Sequence, residues 1–579
     1  MVYTRAASLL IFIALALVPV LFDMFTAYQL GLYLIYGLVG QGIALCWGRA
    51  GFLPLGQALF FGMGAYIAGA VLESAGDSYL VLLPALMLSL LIPAALAAIV
   101  GLLVFNRQIG SGPYFSLITL ALAMLGFQLA NSLDWLTGGF NGLTGIPGLP
   151  GVDSYGNLYF VVLAMLAIVS IFLAWMLKTP FGVLLAATAE NEERLQFFGF
   201  NTSALKASVF AISAALAGLA GALYAPHQGI VTPQAVGFLL SAEFVIWTAV
   251  GGRASLAGPV VGAVVIGFLA SELRDTFRYW EVVIGLIFIL VVLRLPKGLV
   301  GILGTLMERF AAKANQQRTR DILLPGRETG TQPDLVFDGV KVRIGPVTIL
   351  DGLDFRIKTA GIHAIIGPNG AGKTSAFNVM TGKLPTSDGS VLWNGERLTG
   401  MKPFQVARRQ IARKFQVPSV FSGLTVDENI DVALWANRIR TSELFSMQPS
   451  RWHSALGDEL GQRFAFLQDG QTVAGNLSLG QRQMLDFAMT YLTEARLVLL
   501  DEPCAGLSTV ETADMIEAIA AVNAQLGSTA ILIEHDMRVV ERLSDHVLVM
   551  HQGRLLANGD IDEIRANPEV QAVYSGGTK

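Results

Sequence analysis

Cysteine is almost missing: Cys46 and Cys504 are the only two in 579 residues. Cys46 lies in an apolar run, and Cys504 follows an acidic motif in a polar half. Two such thiols build no disulfide framework, which suits a polar half in a reducing compartment. An excess of one charge is missing too. The 39 Lys and Arg nearly balance the 43 Asp and Glu, for a net charge of -4, so the composition points away from a nucleic-acid partner. No long-period repeat is visible. Charge of either sign is scarce in one region, since Met1–Gly301 holds only 11 of the Lys and Arg and 12 of the Asp and Glu.

What is there is apolar. Hydrophobic residues make up 53% of the chain and the mean hydropathy is +0.58, values that suit a membrane protein. The length exceeds one ordinary domain. The charge contrast predicts an N-terminal polytopic α-helical membrane bundle over residues 1–303, a linker over 304–334, and a soluble α/β domain over 335–579. One crossing takes about 20 mainly apolar residues. The runs Leu9–Leu21, Leu30–Trp47, Gly56–Leu72, Leu80–Phe105, Tyr114–Leu133, Leu158–Leu177, Ala207–Tyr224, Leu239–Ala249, Val260–Ala270 and Val282–Leu293 predict eight to ten spans. Met1–Phe22 carries Arg5, then an apolar run without an evident small-residue cleavage site, and reads as the first span. The Gly-rich stretch Gly51–Gly69 predicts a broken or a closely packed helix.

Basic residues near span ends set orientation. Arg107, Lys178, Arg194 and Lys206 mark cytoplasmic flanks, whereas Asp134–Asp153 has two acids and no Lys or Arg and reads as outside. Arg294 and Lys297 close the last span, which puts the soluble half in the cytosol. The linker is polar, contains Pro325 and Pro333, and reads as a tether.

Gly367-Pro368-Asn369-Gly370-Ala371-Gly372-Lys373-Thr374 fits the phosphate-loop pattern in full. The apolar run Gly361–Ile366 precedes it as a buried strand, and a helix-compatible run beginning at Ser375 follows. Glycines let the backbone N–H groups wrap phosphates, and the helix N-terminus adds positive potential. Lys373 is placed to neutralise phosphate charge and Thr374 to meet Mg²⁺. Further on, Leu497–Leu500 predicts a strand that carries Asp501 to its C-terminal end, where open α/β sheets bind ligands. Asp501 is the candidate Mg²⁺ carboxylate, directly or through water, and Glu502 the candidate general base.

Leu477-Ser478-Leu479-Gly480-Gln481 resembles the signature of ATP-binding-cassette ATPases, with Leu479 in place of a glycine. Gln416 matches that family's Q-loop, Ala505-Gly506-Leu507-Ser508 its D-loop, and His535 in Ile533-Glu534-His535-Asp536 its switch histidine. The resemblance implies a P-loop NTPase fold over the soluble half. It implies ATP and Mg²⁺ as cofactors, with Gly367–Ser375, Ser478, Gly480 and Gln481 on the nucleotide, Thr374, Gln416 and Asp501 on the metal, and Glu502, His535 and Gln416 in catalysis. Two such domains would sandwich two nucleotides, each signature serving the partner's site. The aromatic that commonly stacks on adenine would fall near Ile344, a departure.

The first half resembles permeases of branched-chain amino-acid and urea importers. The matching pieces are Gly51–Tyr66, Thr137–Gly145 and Ser213–Tyr224, and Ala189–Arg194 with Phe198-Gly199 resembles their cytoplasmic coupling helix, placed to dock near Gln416. The chain therefore reads as a permease fused to its ATPase. The resemblance implies an extracytoplasmic solute-binding protein, a second permease and a second ATPase subunit (or a homodimer), a small uncharged or zwitterionic solute, and a bacterial inner membrane with the ATPase in the cytoplasm. Thr137–Thr144 with Ile146-Pro147 leans to amino acids. Tyr114-Phe115-Ser116, Val245-Ile246-Trp247 with Gly251-Gly252-Arg253, and Arg413–Pro418 lean to urea and short amides. Glu243, inside an apolar stretch, is a pathway candidate. The competing readings are a membrane-anchored regulatory ATPase that moves nothing and an exporter.

Overall fold

The computed structural model describes residues 15–19, 21–75, 80, 82–106, 112–295, 297–301, 320–324, 333–447 and 451–574. The chain separates into two units: Met1–Leu185 with Ser203–Gln316, and Ala186–Thr202 with Gln317–Lys579.

In the first unit the apolar runs fold as helices. Among the described residues, six helices are long and apolar enough to cross a membrane by length and composition: Met24–Arg49, Leu82–Phe105, Pro113–Ser132, Asn157–Met176, Thr202–Gln228 and Trp280–Gly301. The expected eight to ten also included runs that fold as shorter helices or lie outside the described residues. Phe238–Gly251 is apolar but has 14 residues. Gln57–Ala75 and Gly258–Thr276 have the length, and their glycines meet neighbouring main chain. The Leu9–Leu21 run falls largely outside the described residues, with Leu15–Pro19 helical.

Both expectations for the Gly-rich stretch are met. The Met24–Ala44 helix loosens into a π-turn at Leu45–Arg49, and the next helix starts only at Gln57. Beyond the break, backbones approach closely. A Cβ on Gly64 would lie 2.1 Å from the Gly218 carbonyl oxygen, and one on Gly218 would lie 2.0 Å from that of Ser89. The Gln57–Ala75, Leu82–Phe105 and Thr202–Gln228 helices therefore touch main chain to main chain. Hydrogen bonds cross the same seams, from Ser89 Oγ to the Gly64 carbonyl (3.0 Å) and from Gln57 Nε2 to Ser213 Oγ (2.9 Å). In lipid, close contact and interhelical hydrogen bonds stand in for a hydrophobic driving force.

The second unit is built on a six-stranded sheet of β1 (Gly361–Ile366), β2 (Ile411–Lys414), β3 (Leu497–Asp501), β4 (Thr529–Ile533), β5 (His546–His551) and β6 (Arg554–Gly559). Its order is β6-β5-β1-β4-β3-β2, parallel except for the β5–β6 hairpin. The parallel strands are continuous apolar runs because both faces are covered, and β3 and β4 are buried throughout. A second, antiparallel sheet contains Leu335–Ile344, Val347–Ile357, Asp388–Trp393 and Glu396–Arg397. Leu335, Phe337, Val340 and Val342 face its core, and the ladder slips between Phe337 and Val340. That slip separates the two apolar runs Leu335–Phe337 and Val340–Ile344 along one strand. Of the expected linker, Arg320–Leu323 is a strand parallel to Arg451–His453, and most of the rest lies outside the described residues.

Replacing Gly218 by Leu should cost about 1–3 kcal/mol through overpacking and lower the thermal midpoint of the detergent-purified chain. Gly285→Leu, where a Cβ meets nothing within 4 Å, should leave it unchanged. Equal midpoints for the two variants would disprove the backbone contact.

Candidate functional site

β1 ends in the loop Gly367–Thr374, and the helix Lys373–Met380 starts inside it. Two glycines are required by geometry. Gly372 has φ +98°, and a Cβ on Gly367 would lie 2.2 Å from the Met550 carbonyl oxygen. Lys373 folds back, donating from Nζ to the carbonyls of Gly367 (2.8 Å) and Pro368 (3.0 Å). Burial pulls its pKa down, while the nearby Glu502 and Asp501 carboxylates oppose that shift. Asn369, Gly370 and Thr374 are exposed, Pro368 and Ser375 half-buried, and Ala371 buried.

β4 lies between β1 and β3, so its end delivers Glu534 and His535 between the loop and Asp501-Glu502. Three strand ends converge on one carboxylate. Glu502 accepts from Gln416 Nε2 at Oε2 (2.7 Å), and its Oε1 lies 2.7 Å from His535 Nε2. Gln416 follows β2, Glu502 follows β3 and His535 follows β4. The Glu502 backbone is left-handed, with φ +45°, a strained conformation for a side chain with a Cβ. Its N–H donates to the Ile533 carbonyl (2.9 Å). Glu534, buried beside it, accepts from the backbone N–H groups of Cys504 (3.3 Å) and His535 (3.1 Å), and burial raises its pKa.

Asp501 is buried and paired with Arg413 Nη2 at 3.0 Å. Burial pushes its carboxyl pKa up against the opposing pull of Arg413. Arg413 Nη1 also donates to Asn378 Oδ1 (2.7 Å) in the helix that follows the loop. Ser478, Gly480 and Gln481 stand apart. Ser478 caps the Leu479–Leu492 helix, its Oγ accepting from the Gln481 N–H (3.1 Å) and its own N–H donating to Gln481 Oε1 (3.0 Å). Among the described residues, no hydrogen bond or ion pair joins them to Gly367–Thr374. Further along this helix, Gln483 Nε2 donates to the carbonyls of Gln416 and Ala505 (3.2 Å each). Ile344 is 55% exposed beside Val347 in a hairpin, an aliphatic surface where the expected aromatic would sit.

The segment Ala186–Thr202 belongs with this unit. Asn191 caps a short helix, Glu192–Gln196. Arg194 from that helix is buried against Asp486 of the Leu479–Leu492 helix at 2.6 Å. It also donates to the Arg413 carbonyl (2.5 Å) and to Thr490 Oγ1 (3.0 Å), and lies over the Phe198 ring. The Arg194–Asp486 contact is an ion pair by distance, while the Asp486 oxygens lack a well-directed hydrogen bond. Glu190 accepts from the Gly423 N–H with both oxygens (2.8 and 2.9 Å), and Phe197 packs edge-on against Phe415. The sequence reading did not single out Asp486, Arg413 as the partner of Asp501, or Glu534. The signal was charge at apolar spacing: Arg413 follows Ile411-Ala412, and Asp486 lies between Leu485 and Phe487.

Comparison with known proteins bears on both units. Residues 25–292 match the family "Branched-chain amino acid transport system / permease component", and residues 350–505 match the family "ABC transporter". The high-affinity branched-chain amino acid transport ATP-binding protein LivG of Escherichia coli (strain K12) is 35% identical over 254 residues, covering 42% of this chain and 99% of the relative. BraF of Pseudomonas aeruginosa, with the same description, is 33% identical over 252 residues, with 42% and 99% coverage. Among solved structures, a nucleotide-free ATP-binding cassette from an ABC transporter aligns with TM-score 0.36 and 25% identity, covering 42% of this chain and 98% of that one.

Arg194 and Asp486 are 1% and 0% exposed. Removing one member strands the other, at about 3–5 kcal/mol. Arg194→Met or Asp486→Leu alone should therefore destabilise the purified chain strongly, and the double variant should recover much of the loss. A double-mutant cycle in thermal unfolding measures this, and strict additivity would show that the two charges do not interact.

Proposed function

We infer the function of this chain from a plain premise: it belongs to the branched-chain amino-acid family of ATP-binding-cassette transporters, as a permease fused to an ATP-binding, ATP-hydrolysing cassette. On that basis it is the fused subunit of an importer for a small uncharged or zwitterionic solute. Branched-chain amino acids and urea or short amides are the candidate classes, and the likeness to LivG and BraF, both branched-chain amino acid transport proteins, favours the former. The observation that carries the reading is the Glu502 carboxylate, held by Gln416 and His535 at the ends of three strands beside a complete phosphate loop.

In the hydrolytic step Glu502 takes a proton from the attacking water. His535 fixes one carboxylate oxygen and Gln416 the other, so the base is oriented before a nucleotide arrives. Lys373 exchanges the carbonyls of Gly367 and Pro368 for phosphate oxygens. The exposed Thr374 hydroxyl, Gln416 and Asp501 would hold Mg²⁺, Asp501 directly or through water, and the ion would neutralise phosphate charge.

Ser478, Gly480 and Gln481 stand at the start of the Leu479–Leu492 helix, and among the described residues no hydrogen bond or ion pair joins them to this chain's own loop, which supports a second cassette completing the nucleotide site. It comes from another subunit or a second copy. The permease is assigned to residues 1–303, the tether to 304–334 and the cassette to 335–579. The segment Ala186–Thr202 is the coupling element, which turns closure of the cassettes into movement of the permease. Basic residues at Arg107, Lys178, Arg194 and Lys206 support a cytoplasmic cassette in a bacterial inner membrane, with an extracytoplasmic binding protein delivering solute. A membrane-anchored regulatory ATPase would need only one or two spans, whereas among the described residues six helices have the length and composition to cross.

Glu502→Gln should lower ATP turnover by roughly 10²–10⁴-fold while leaving ATP binding intact. Turnover and nucleotide affinity, measured on the same purified complex, separate the two effects. In vesicles loaded with ATP and supplied with the binding protein, leucine, urea or acetamide should accumulate with the wild type and not with Glu502→Gln. Accumulation that is indifferent to the substitution would refute ATP-driven import.

A further inference from the structure

Within the first unit, a cavity of about 670 Å³ is lined by the Phe238–Gly251 helix, by Pro113–Ser132, and by the stretch before Phe238. That volume lies in the range of small-molecule sites, about 300–1,000 Å³. The wall before Phe238 is not α-helical. Ile230-Val231 pairs with Leu143-Thr144, and Pro233–Val236 is a single 3-10 turn. Irregular backbone is tolerated at membrane depth where it borders a cavity.

Leu239, Leu240 and Glu243 lie three and four residues apart on one helix, so they share a face, and all three line the cavity. Glu243 is half-buried, and among the described residues no hydrogen bond or ion pair reaches its carboxylate. Charged groups in membrane helices are costly and are generally paired or functional. Tyr36 and Tyr224, 6.3 Å apart by ring centroids, line the same cavity, as do the carboxamides of Gln128 and Gln234 and the apolar side chains of Phe127 and Phe238.

We propose that this cavity binds the transported solute, and that Glu243 receives a primary ammonium group whose alkyl tail packs on the apolar wall. The two tyrosine rings can flank the ammonium through cation–π attraction. The carboxamides of Gln128 and Gln234 supply N–H donors for a carboxylate. A branched aliphatic amino acid meets every one of these groups. Urea, small and neutral, leaves both the charge and the apolar wall unused. The assignment rests on the importer reading for its role in traffic, but binding itself can be measured without transport.

The test is titration of the detergent-purified full chain with leucine, 3-methylbutylamine, 4-methylpentanoate and urea. Leucine and 3-methylbutylamine should bind the wild type, and Glu243→Gln should weaken both by about tenfold or more, as expected for loss of a charge-assisted contact. Glu243→Asp should retain part of the affinity while the thermal midpoint holds. Binding of leucine to Glu243→Gln at wild-type strength, a preference of the wild type for urea, or no binding of either amine to the wild type would each overturn the site. If binding follows the prediction but vesicle uptake fails, the importer reading falls and the ligand site stands.

Discussion

The ion pair of Arg413 with Asp501 sits where the structural parts of the cassette meet. Its guanidinium also reaches Asn378 on the phosphate-loop helix, and its carbonyl accepts from Arg194. One buried residue thereby fixes the distance between the phosphate loop and β3, and shares a bond with the segment Ala186–Thr202. Burying such a pair gains little stability over an apolar pair of the same shape, because both ions lose their hydration. What it supplies is position. A carboxylate held at 3.0 Å by a fixed guanidinium cannot swing away from the place where it is needed, and no apolar contact would orient it.

Glu502 is the complementary case. It carries a left-handed backbone and is held by side chains from two neighbouring strands, Gln416 and His535. Strain of this kind persists only where the surroundings over-determine it. Here the surroundings are the strand ends of β2, β3 and β4 and the bond from the Glu502 N–H to Ile533. The helix that begins at the signature adds a further hold, since Gln483 grips the main chain on both sides of the site, at Gln416 and Ala505. Any displacement of that helix, whether from a second cassette at Ser478 or from Arg194 acting on Asp486, is transmitted to the backbone that carries Gln416.

Much of the cassette was legible in the sequence because its chemistry is local. The loop Gly367–Thr374, the β3 run and Ser478–Gln481 each declare themselves within about eight residues, and parallel strands buried on both faces read as unbroken apolar runs. The partners were not legible. Arg413 and Asp501 are 88 positions apart and Arg194 and Asp486 are 292 apart, and nothing in composition pairs them. Tight packing was not legible either: in Gln57–Ala75 and Gly258–Thr276 the glycines admit a neighbouring backbone that only the folded chain brings near.

That exchange bears on the role of the membrane unit. Helices packed at Gly64, Gly218 and Gly221, with main-chain atoms in van der Waals contact, have little freedom to deform and move best as rigid bodies. The Phe238–Gly251 helix is different. It is short, it starts after a 3-10 turn rather than continuing the Thr202–Gln228 helix, and it carries the Glu243 carboxylate to a cavity. An irregular stretch between two helices is where backbone torsions can change without breaking a helical ladder. A transporter needs rigid parts to transmit force and one adjustable wall to meet its solute. In this unit the glycine seams offer the first, and the irregular stretch before Phe238, which borders the same cavity as Glu243, offers the second.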